Sequence, residues 1–415
     1  MAREVTAVRT LHALVCLRSP LHIGGATDRP GTDAALARDG RGNLYLPGTS
    51  VTGALRAALG ETDRAPQTWG TADVDGLGAS RVIVRDAMLG TGKDLQTPPE
   101  SGRRDGVAID RAVGSAVDGL FFGHEIVPAG SWARLEIEVH SDAVSEASDL
   151  QLLGRVRSVL STGLRLGART SRGLGLMSAD EDDISVTEVR YDSAASFWQT
   201  RRTPRTVTLP ATTPSNRETL DVEIRWRPDG PLAVGVAGAV PTLALHPLLE
   251  PHPDRPGRLR LMVPGTALAG ALRSRAELVC RTLRQSPTPA AFADQLTSTP
   301  PAALLFGLAR DEHGSPSSAL LVPDCASTTT IAATDWAVAT AADTDSPPRR
   351  VAADGDAELV CTDHVAVDRW TGGASEGQLF SEYEPHGFRF EPIKLILPGC
   401  GPGRRHGRNA GSAQR

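Results

Sequence analysis

At 415 residues the chain has room for two or three domains of about 150 residues each, and a composition of 40% hydrophobic and 22% charged residues excludes a globally disordered polymer. A net charge of −5 argues against indiscriminate coating of nucleic acid, and no window reaches the eighteen or so consecutive apolar residues of a membrane span. Forty-two Gly and 30 Pro imply short elements joined by many turns.

In chain order, LHALVCLRSPLHIGG (11–25) alternates apolar residues before a Gly/Pro turn and predicts a strand. A loop with Asp28, Asp33 and Asp39 leads into LYLPGTSVTGALRAAL (44–59). There Thr49 or Ser50 is the expected cap of a helix with Val51, Ala54, Leu55, Ala58 and Leu59 on one face. SRVIVRDAML (80–89) and WARLEIEV (132–139) are predicted strands. Between them, an insertion at about 90–130 carries an apolar set: Ile109, Val113, Val117, Leu120 and Phe121. A second helix follows Asp149, with Leu150, Leu153, Val156, Leu160 and Leu164 at helical spacing, and then the loop RLGARTSRGLGLM (165–177).

The same blocks recur in the same order. Pro20 and Pro231 lie 211 residues apart, in SPLHIGG and GPLAVG; Pro47 and Pro264 lie 217 apart, in LPGTSVTGALR and VPGTALAGALR. Asp86 matches Asp324, and Asp110-Arg111 in IDRAVGSAVDGLFFG matches Asp368-Arg369 in VDRWTGGASEGQLFS. Strand, helix, strand, long insertion, strand, helix, strand is the order of a split βαβ, so the expected fold class is α+β: two ferredoxin-like, RRM-like modules with long insertions. The expected organisation is a first module over 1–199, a linker over 200–218, a second module over 219–397 that lacks the final helix and Gly-rich loop, and a basic, structureless tail over 398–415. Residues 328–356 read as a loose insertion. Five widely spaced cysteines with no CxxC pair suggest neither a disulfide framework nor a zinc site, and the chain reads as soluble and cytoplasmic.

PLHIGG, an Asp about ten residues later, YLPGTSVTGALR, the IDRxxGxAxxGxLF block and the RxSRGLGLM loop together resemble the RAMP superfamily, more narrowly the backbone subunits of type III CRISPR effector complexes. The resemblance implies an RRM-like palm, a thumb made by the 90–130 insertion that intrudes into the guide–target duplex, and filament stacking along CRISPR RNA. It also implies target RNA, other RAMP subunits and a large signalling subunit as partners, with no membrane.

Family backbone subunits carry a catalytic Asp in the first loop, which the resemblance places at Asp33, fourteen residues before Pro47, with Asp28 and Asp39 as rivals. A loop carboxylate beneath a displaced nucleotide can accept the 2′-hydroxyl proton or hold a divalent ion, Mg or Mn. In the second copy the spacing places the counterpart of Asp33 between Ala244 and Glu250, where only His246 and Glu250 could act, so weak or no cleavage is expected there. For RNA binding, residues 150–179 carry five Arg (Arg155, Arg157, Arg165, Arg169, Arg172) and no acid. Arg165, Arg169 and Arg172 beside Gly173 and Gly175 are read as phosphate contacts through side chains and exposed amides. The turn Pro47, Gly48, Thr49, Ser50 is read as a helix N-terminus open to an anion, and Arg56, Arg111, Gly265, Arg273 and Arg369 complete the expected RNA-binding set. Phe121, Phe122, Trp370 and Phe380 are the aromatics placed for base stacking. Two alternatives stay open, a non-catalytic RNA-binding scaffold and a CRISPR-transcript-processing endoribonuclease using His22 or His12 as base.

Overall fold

A computed structural model of the chain describes residues 4–25, 32–60, 66–70, 79–212, 219–232, 234–237, 243–308, 318–341 and 347–398. Its first half is built on β1 (Ala7–Leu17), whose alternating burial matches the apolar alternation of its sequence. After β2 (Tyr45–Leu46), α1 (Gly48–Leu59) and the short α2 (Pro66–Trp69) come β3 (Val82–Val84) and β4 (Ala87–Gly90). A hairpin of β5 (Gly102–Ile109) and β6 (Ala116–Ile126) precedes β7 (Trp132–Ser141), α3 (Glu146–Thr162), β8 (Leu164–Arg165), β9 (Leu176–Ser178) and β10 (Ile184–Arg190). β1 is flanked by β7 on one side and by β10 and β9 on the other, all antiparallel, and β3 and β4 extend the sheet beyond β7. Numbered by their place in the chain, the four principal strands therefore stand in the order 4-1-3-2. Val51 and Leu55 of α1, and Leu153, Val156 and Leu160 of α3, are buried with Leu11, Val15, Leu135 and Ile137 of the sheet in one core.

The remaining elements are α4 (Ala194–Arg202), β11 (Arg205–Thr206), β12 (Thr219–Ile224), β13 (Gly235–Ala237), β14 (Leu243–Pro247), β15 (Leu249–Pro251) and β16 (Arg258–Val263). They continue with α5 (Gly265–Arg284), α6 (Phe292–Thr297), α7 (Pro300–Phe306), β17 (Cys325–Ala332), α8 (Ala333–Ala339), β18 (Arg350–Ala352), β19 (Glu358–Val367), β20 (Ala374–His386) and β21 (Ile393–Pro398). A smaller core gathers Leu261, Ile331, Leu359, Cys361, Tyr383 and Phe388. β12 pairs with β21 alone among the described residues, and its six residues are all exposed. In the first half the strand at this place, β1, has neighbours on both sides.

The two copies share an internal cap, which corrects the expectation for Thr49 and Ser50. Pro47 and Pro264 occupy the N-cap positions without a capping side chain. Instead Asp86 Oδ1 accepts from the Gly48 amide at 2.7 Å, and Asp324 Oδ1 from the Gly265 amide at 2.7 Å. Each carboxylate sits at the positive end of its helix. The glycines are required because a Cβ would lie 2.1 Å from the Val84 carbonyl oxygen at Gly48 and 2.0 Å from that of Val322 at Gly265.

Two further expectations change, and the 90–130 insertion takes a defined form. Residues 200–212, read as the start of a linker, belong to the first unit: β11 pairs with β10, Leu209 is buried in the first core, and Thr212 donates to the Gly154 carbonyl at 2.9 Å. The 328–356 stretch supplies part of β17, then α8 and β18, rather than a loose insertion. The apolar set of the 90–130 insertion lies exposed on a hairpin, with Ile109, Val113, Leu120 and Phe121 all open to solvent. Cys400 and Asp28 lie outside the described residues. No described helix is long and apolar enough to cross a membrane.

A candidate nucleic-acid interface

The loop holding Asp33 is pinned to the hairpin by a reciprocal pair of bonds. The Asp33 amide donates to the Gly123 carbonyl at 2.9 Å, and Asp33 Oδ2 accepts from the Gly123 amide at 2.7 Å. The residue is exposed, so the carboxylate is held in place by one oxygen while facing solvent. Its rival Asp39 is a turn residue, accepting from the Arg41 amide and from the amide and side chain of Asn43, bonds that lower its pKa. Among the described residues the only group of three or more His, Cys, Asp or Glu close enough to share an ion is His364, Glu382 and Glu384, on the β19–β20 hairpin. No such group forms around Asp33, so a divalent ion there would need RNA phosphates and water for most of its coordination.

The residues flanking Gly123 carry the rest of the site. Arg169 lies over the Phe122 ring at 4.9 Å. On the other side His124 is buried against His22, ring to edge at 5.7 Å, and its Nδ1 has no partner among the described residues. His22 Nδ1 lies 2.7 Å from the Glu125 carbonyl oxygen. Burial, with the positive fields of Arg169, His22 and Arg104 and only slight opposition from Asp105, pushes the His124 imidazole down to about 4. Because the unfolded chain takes up this proton near the ordinary value of 6.5, stability is expected to fall as pH drops from about 6.5 to about 4, by about 3 kcal/mol in all. Urea unfolding of wild type and His124→Phe across that range checks it: the wild-type loss should be largely absent from the variant.

The glycine loop brings three arginines to the same place. Arg165 and Arg169 are half-buried and Arg172 is exposed, and the described residues offer none of them an ion-pair partner. All three are lowered from the ordinary arginine value: by desolvation at Arg165, by desolvation and Arg172 at Arg169, and by desolvation and Arg273 at Arg172. Asp324 offsets part of the desolvation at Arg165, but partly desolvated guanidinium groups without a carboxylate at ion-pair distance are what an incoming phosphate would relieve. The loop amides are committed elsewhere: Ala168 donates to His22 O at 2.9 Å, Arg172 to Arg169 O at 2.9 Å, and Gly175 to Pro20 O at 2.8 Å. Gly173 and Gly175, read from the sequence as lying along RNA, are close-approach positions. Both have positive φ, and a Cβ would lie 2.4 Å from Asp324 Oδ1 and 2.0 Å from Leu166 O respectively.

This loop and the first hairpin also meet the second half of the chain. The buried Arg104 guanidinium pairs with Glu250 and, at 2.9 Å, with Asp324. Desolvation opposes its charge, and the two carboxylates outweigh that, holding it above its ordinary value. Val322 donates to Ser171 O at 2.9 Å. Arg111 Nε lies 3.2 Å from Glu277 while its amide donates to Gln295 at 2.8 Å. Arg273 is spent on Glu277 at 2.7 Å and on the carbonyls of Gly307 and Leu296 at 3.0 Å each. Arg111 and Arg273, expected at RNA, thus hold protein to protein. Gly48 and Gly265 already cap their helices to Asp86 and Asp324, which removes the open anion site expected at Pro47–Ser50. Arg56 lies half-buried in the last turn of α1, and Arg369 stands on an exposed turn. Glu250 is committed to Arg104, and the His246 ring packs edge-on to Trp336 at 5.6 Å, so neither is set up as a counterpart of Asp33. His12 sits half-buried on β1. Arg104 and His124 were missed from the sequence because their significance lies in partners 146 and 102 residues away in the chain.

The RAMP superfamily model matches residues 17–178, the span that contains the Asp33 loop, the hairpin and the glycine loop. Residues 17–178 belong to the RAMP superfamily. A curated relative, the "CRISPR system Cms endoribonuclease Csm3" of Methanocaldococcus jannaschii, is 27% identical over 202 residues, covering 40% of this chain and 75% of the relative. Among solved structures, a chain of the type III-B Cmr-beta complex in its apo state shares 13% identity at a TM-score of 0.34, covering 41% of this chain and 96% of that one. A chain of the same complex bound to cognate target RNA shares 12% identity at 0.34, covering 41% and 95%. The Asp33 loop, the β5–β6 hairpin and the Arg165–Arg172 loop thus all lie within the span that the RAMP superfamily model matches.

Proposed function

We propose that this chain is a backbone subunit of a type III CRISPR effector complex. It binds CRISPR RNA and target RNA on its RAMP module, a ferredoxin-like sheet in the 4-1-3-2 order, and cleaves target RNA at Asp33. One observation carries the reading: a solvent-facing carboxylate and an unpaired guanidinium meet the same dipeptide of the hairpin, Asp33 at Gly123 and Arg169 at Phe122. The relative named above as an endoribonuclease supports the activity.

In this mechanism Arg165, Arg169 and Arg172 hold the phosphate backbone, and the hairpin with Phe121 and Phe122 displaces a base to expose one ribose. The Gly123 amide fixes one oxygen of Asp33, leaving the other to accept the 2′-hydroxyl proton as the 2′-oxygen attacks phosphorus; the bond from phosphorus to the 5′-oxygen of the next nucleotide breaks, leaving a 2′,3′-cyclic phosphate and a 5′-hydroxyl protonated from solvent. The nearby guanidinium groups stabilise the developing negative charge. A magnesium or manganese ion bound by Asp33 and the RNA would supply Lewis acidity at the same phosphate. His124, neutral above pH 5, donates no charge to this step.

Asp33→Ala, assayed with target RNA in the assembled complex, should lower cleavage about 100-fold or more, as expected for loss of a general base, while target binding stays unchanged. Unchanged cleavage would leave a non-catalytic scaffold as the correct reading. Cleavage of repeat RNA by the isolated chain, lost in His22→Ala, would instead favour transcript processing.

A further inference from the structure

We propose that His364, Glu382 and Glu384, on the two strands of the β19–β20 hairpin, bind a zinc ion that clips those strands together. The inference goes beyond the RNA reading and uses no residue of the Asp33 site.

Strand register brings the three side chains together. His364 pairs across the ladder with Phe380, while Glu382 and Glu384 pair with Thr362 and Val360, so alternation puts all three on one face of the hairpin. His364 Nε2 lies 3.0 Å from Glu382 Oε1 and 3.7 Å from Glu384 Oε1, and the three donor atoms stand within 4.8 Å of one another. Ligand atoms about 2.1 Å from a tetrahedral zinc ion are roughly 3.4 Å apart, a spacing that the two histidine distances bracket. The His364 ring stacks on Phe380 at 5.4 Å with 24° between the planes, which fixes its orientation. His386 Nε2 stands 3.6 Å from the other Glu384 oxygen, Oε2, leaving Oε1 for the ion.

The donors are not committed elsewhere. His364 Nε2 is out of solvent and has no hydrogen-bond partner among the described residues; Glu382 is near it but outside hydrogen-bond geometry. Glu382 and Glu384 bring two negative charges to one place, and among the described residues no arginine or lysine pairs with either. A shielded ring nitrogen facing two such carboxylates is an arrangement that a cation completes. Magnesium and calcium take oxygen ligands, whereas an imidazole in the set suits zinc, which also makes no d-electron demand on geometry.

The position suits a clip. On one side of the site Leu359, Cys361 and Tyr383 are buried in the second core; on the other Val365, Val367 and Leu379 are exposed. The hairpin therefore leaves its core where the three ligands lie. Beyond His364 and Ser381, no described residue outside the hairpin forms a hydrogen bond or ion pair with it. In the first half, the alignment of Asp110 with Asp368 puts Gly106, His124 and Ile126 at the ligand positions. That hairpin is held by protein instead, through Asp33 at Gly123, Arg104 at Glu250 and Asp324, and Arg111 at Glu277.

The test titrates zinc chloride into the full chain after treatment with a chelator, following heat by calorimetry and amide exchange by mass spectrometry. One zinc ion per chain is expected to bind at micromolar or tighter affinity and to slow exchange at Val365 and Leu379 about tenfold or more, leaving the β5–β6 hairpin unchanged. That comparison within wild type needs no variant. His364→Gln and Glu384→Gln should each weaken this binding about 100-fold or more, since even loss of an outer-shell partner costs 10- to 100-fold. Metal-free, both variants should exchange like metal-free wild type, as expected for half-buried positions. Magnesium chloride at the same concentration should neither bind nor slow exchange. Zinc binding that survives His364→Gln, equal binding of magnesium, or zinc uptake that leaves the hairpin's exchange unchanged would overturn the inference. So would a chain that takes up no zinc, in which the His364 imidazolium itself balances the two carboxylates.

Discussion

Replacing Arg104 with alanine is expected to remove about 3–5 kcal/mol of stability, the usual cost of stripping one partner from a buried ion pair. Arg104 is 6% exposed and neutralises two carboxylates, Glu250 and Asp324, both largely out of solvent. Without it, Glu250 and Asp324 are left in low dielectric, and Asp324 also has to keep capping α5 through the Gly265 amide. Chemical denaturation at neutral pH measures the loss. Glu250→Gln in the Arg104→Ala background should recover part of it, since one stranded charge disappears. A loss below about 1 kcal/mol, or no recovery, would mean that this junction is hydrated and contributes little. Because Arg104 belongs to β5, Glu250 to β15, and Asp324 to the segment entering β17, the variant should also loosen the two halves of the chain from one another, visible as faster amide exchange at Val322.

The triple variant Arg165→Ala, Arg169→Ala, Arg172→Ala should weaken RNA binding about 100-fold or more, taking at least ~1 kcal/mol for each lost charge-assisted phosphate contact. The slope of log affinity against log salt should become shallower by about 2, from three phosphates at ~0.7 each on a single strand. Its thermal midpoint should hold steady or rise. Desolvation lowers all three guanidinium groups, and none has a carboxylate at ion-pair distance among the described residues, so the folded chain gives up little by losing them. Filter binding at several salt concentrations and thermal unfolding read the two quantities separately. An unchanged salt slope would place the phosphate path elsewhere on the surface.

Much of the first module was legible because its local signals agree. The alternation of β1, the apolar stripe of α3 and the repeated Pro-Gly turns each predict the element that forms; the duplication aligned Asp86 with Asp324, but their shared capping role came from the structure. The Asp33 loop could be located by spacing, but its anchoring to Gly123 could not, since that bond joins residues 90 apart. The arginines show the same division. Arg165, Arg169 and Arg172 stand out as a run without acids, yet Arg111 and Arg273 look equally available in sequence and are consumed by Glu277. The glycines were misread for a related reason: a glycine required by a neighbouring backbone atom and one that offers its amide to a ligand are identical letters.

By itself the sequence determined that ordered blocks recur along the chain, that β1, α1 and α3 form, and where the acid-free arginine stretch lies. Those follow from periodicity, turn chemistry and composition, all of which act over a few residues. Tertiary structure alone decided which charges remain free. Whether a guanidinium is paired with a carboxylate or left for a phosphate depends on what folding brings within about 4 Å of it, and for Arg104, Arg111 and Arg369 the deciding neighbour, or its absence, comes from a distant part of the chain.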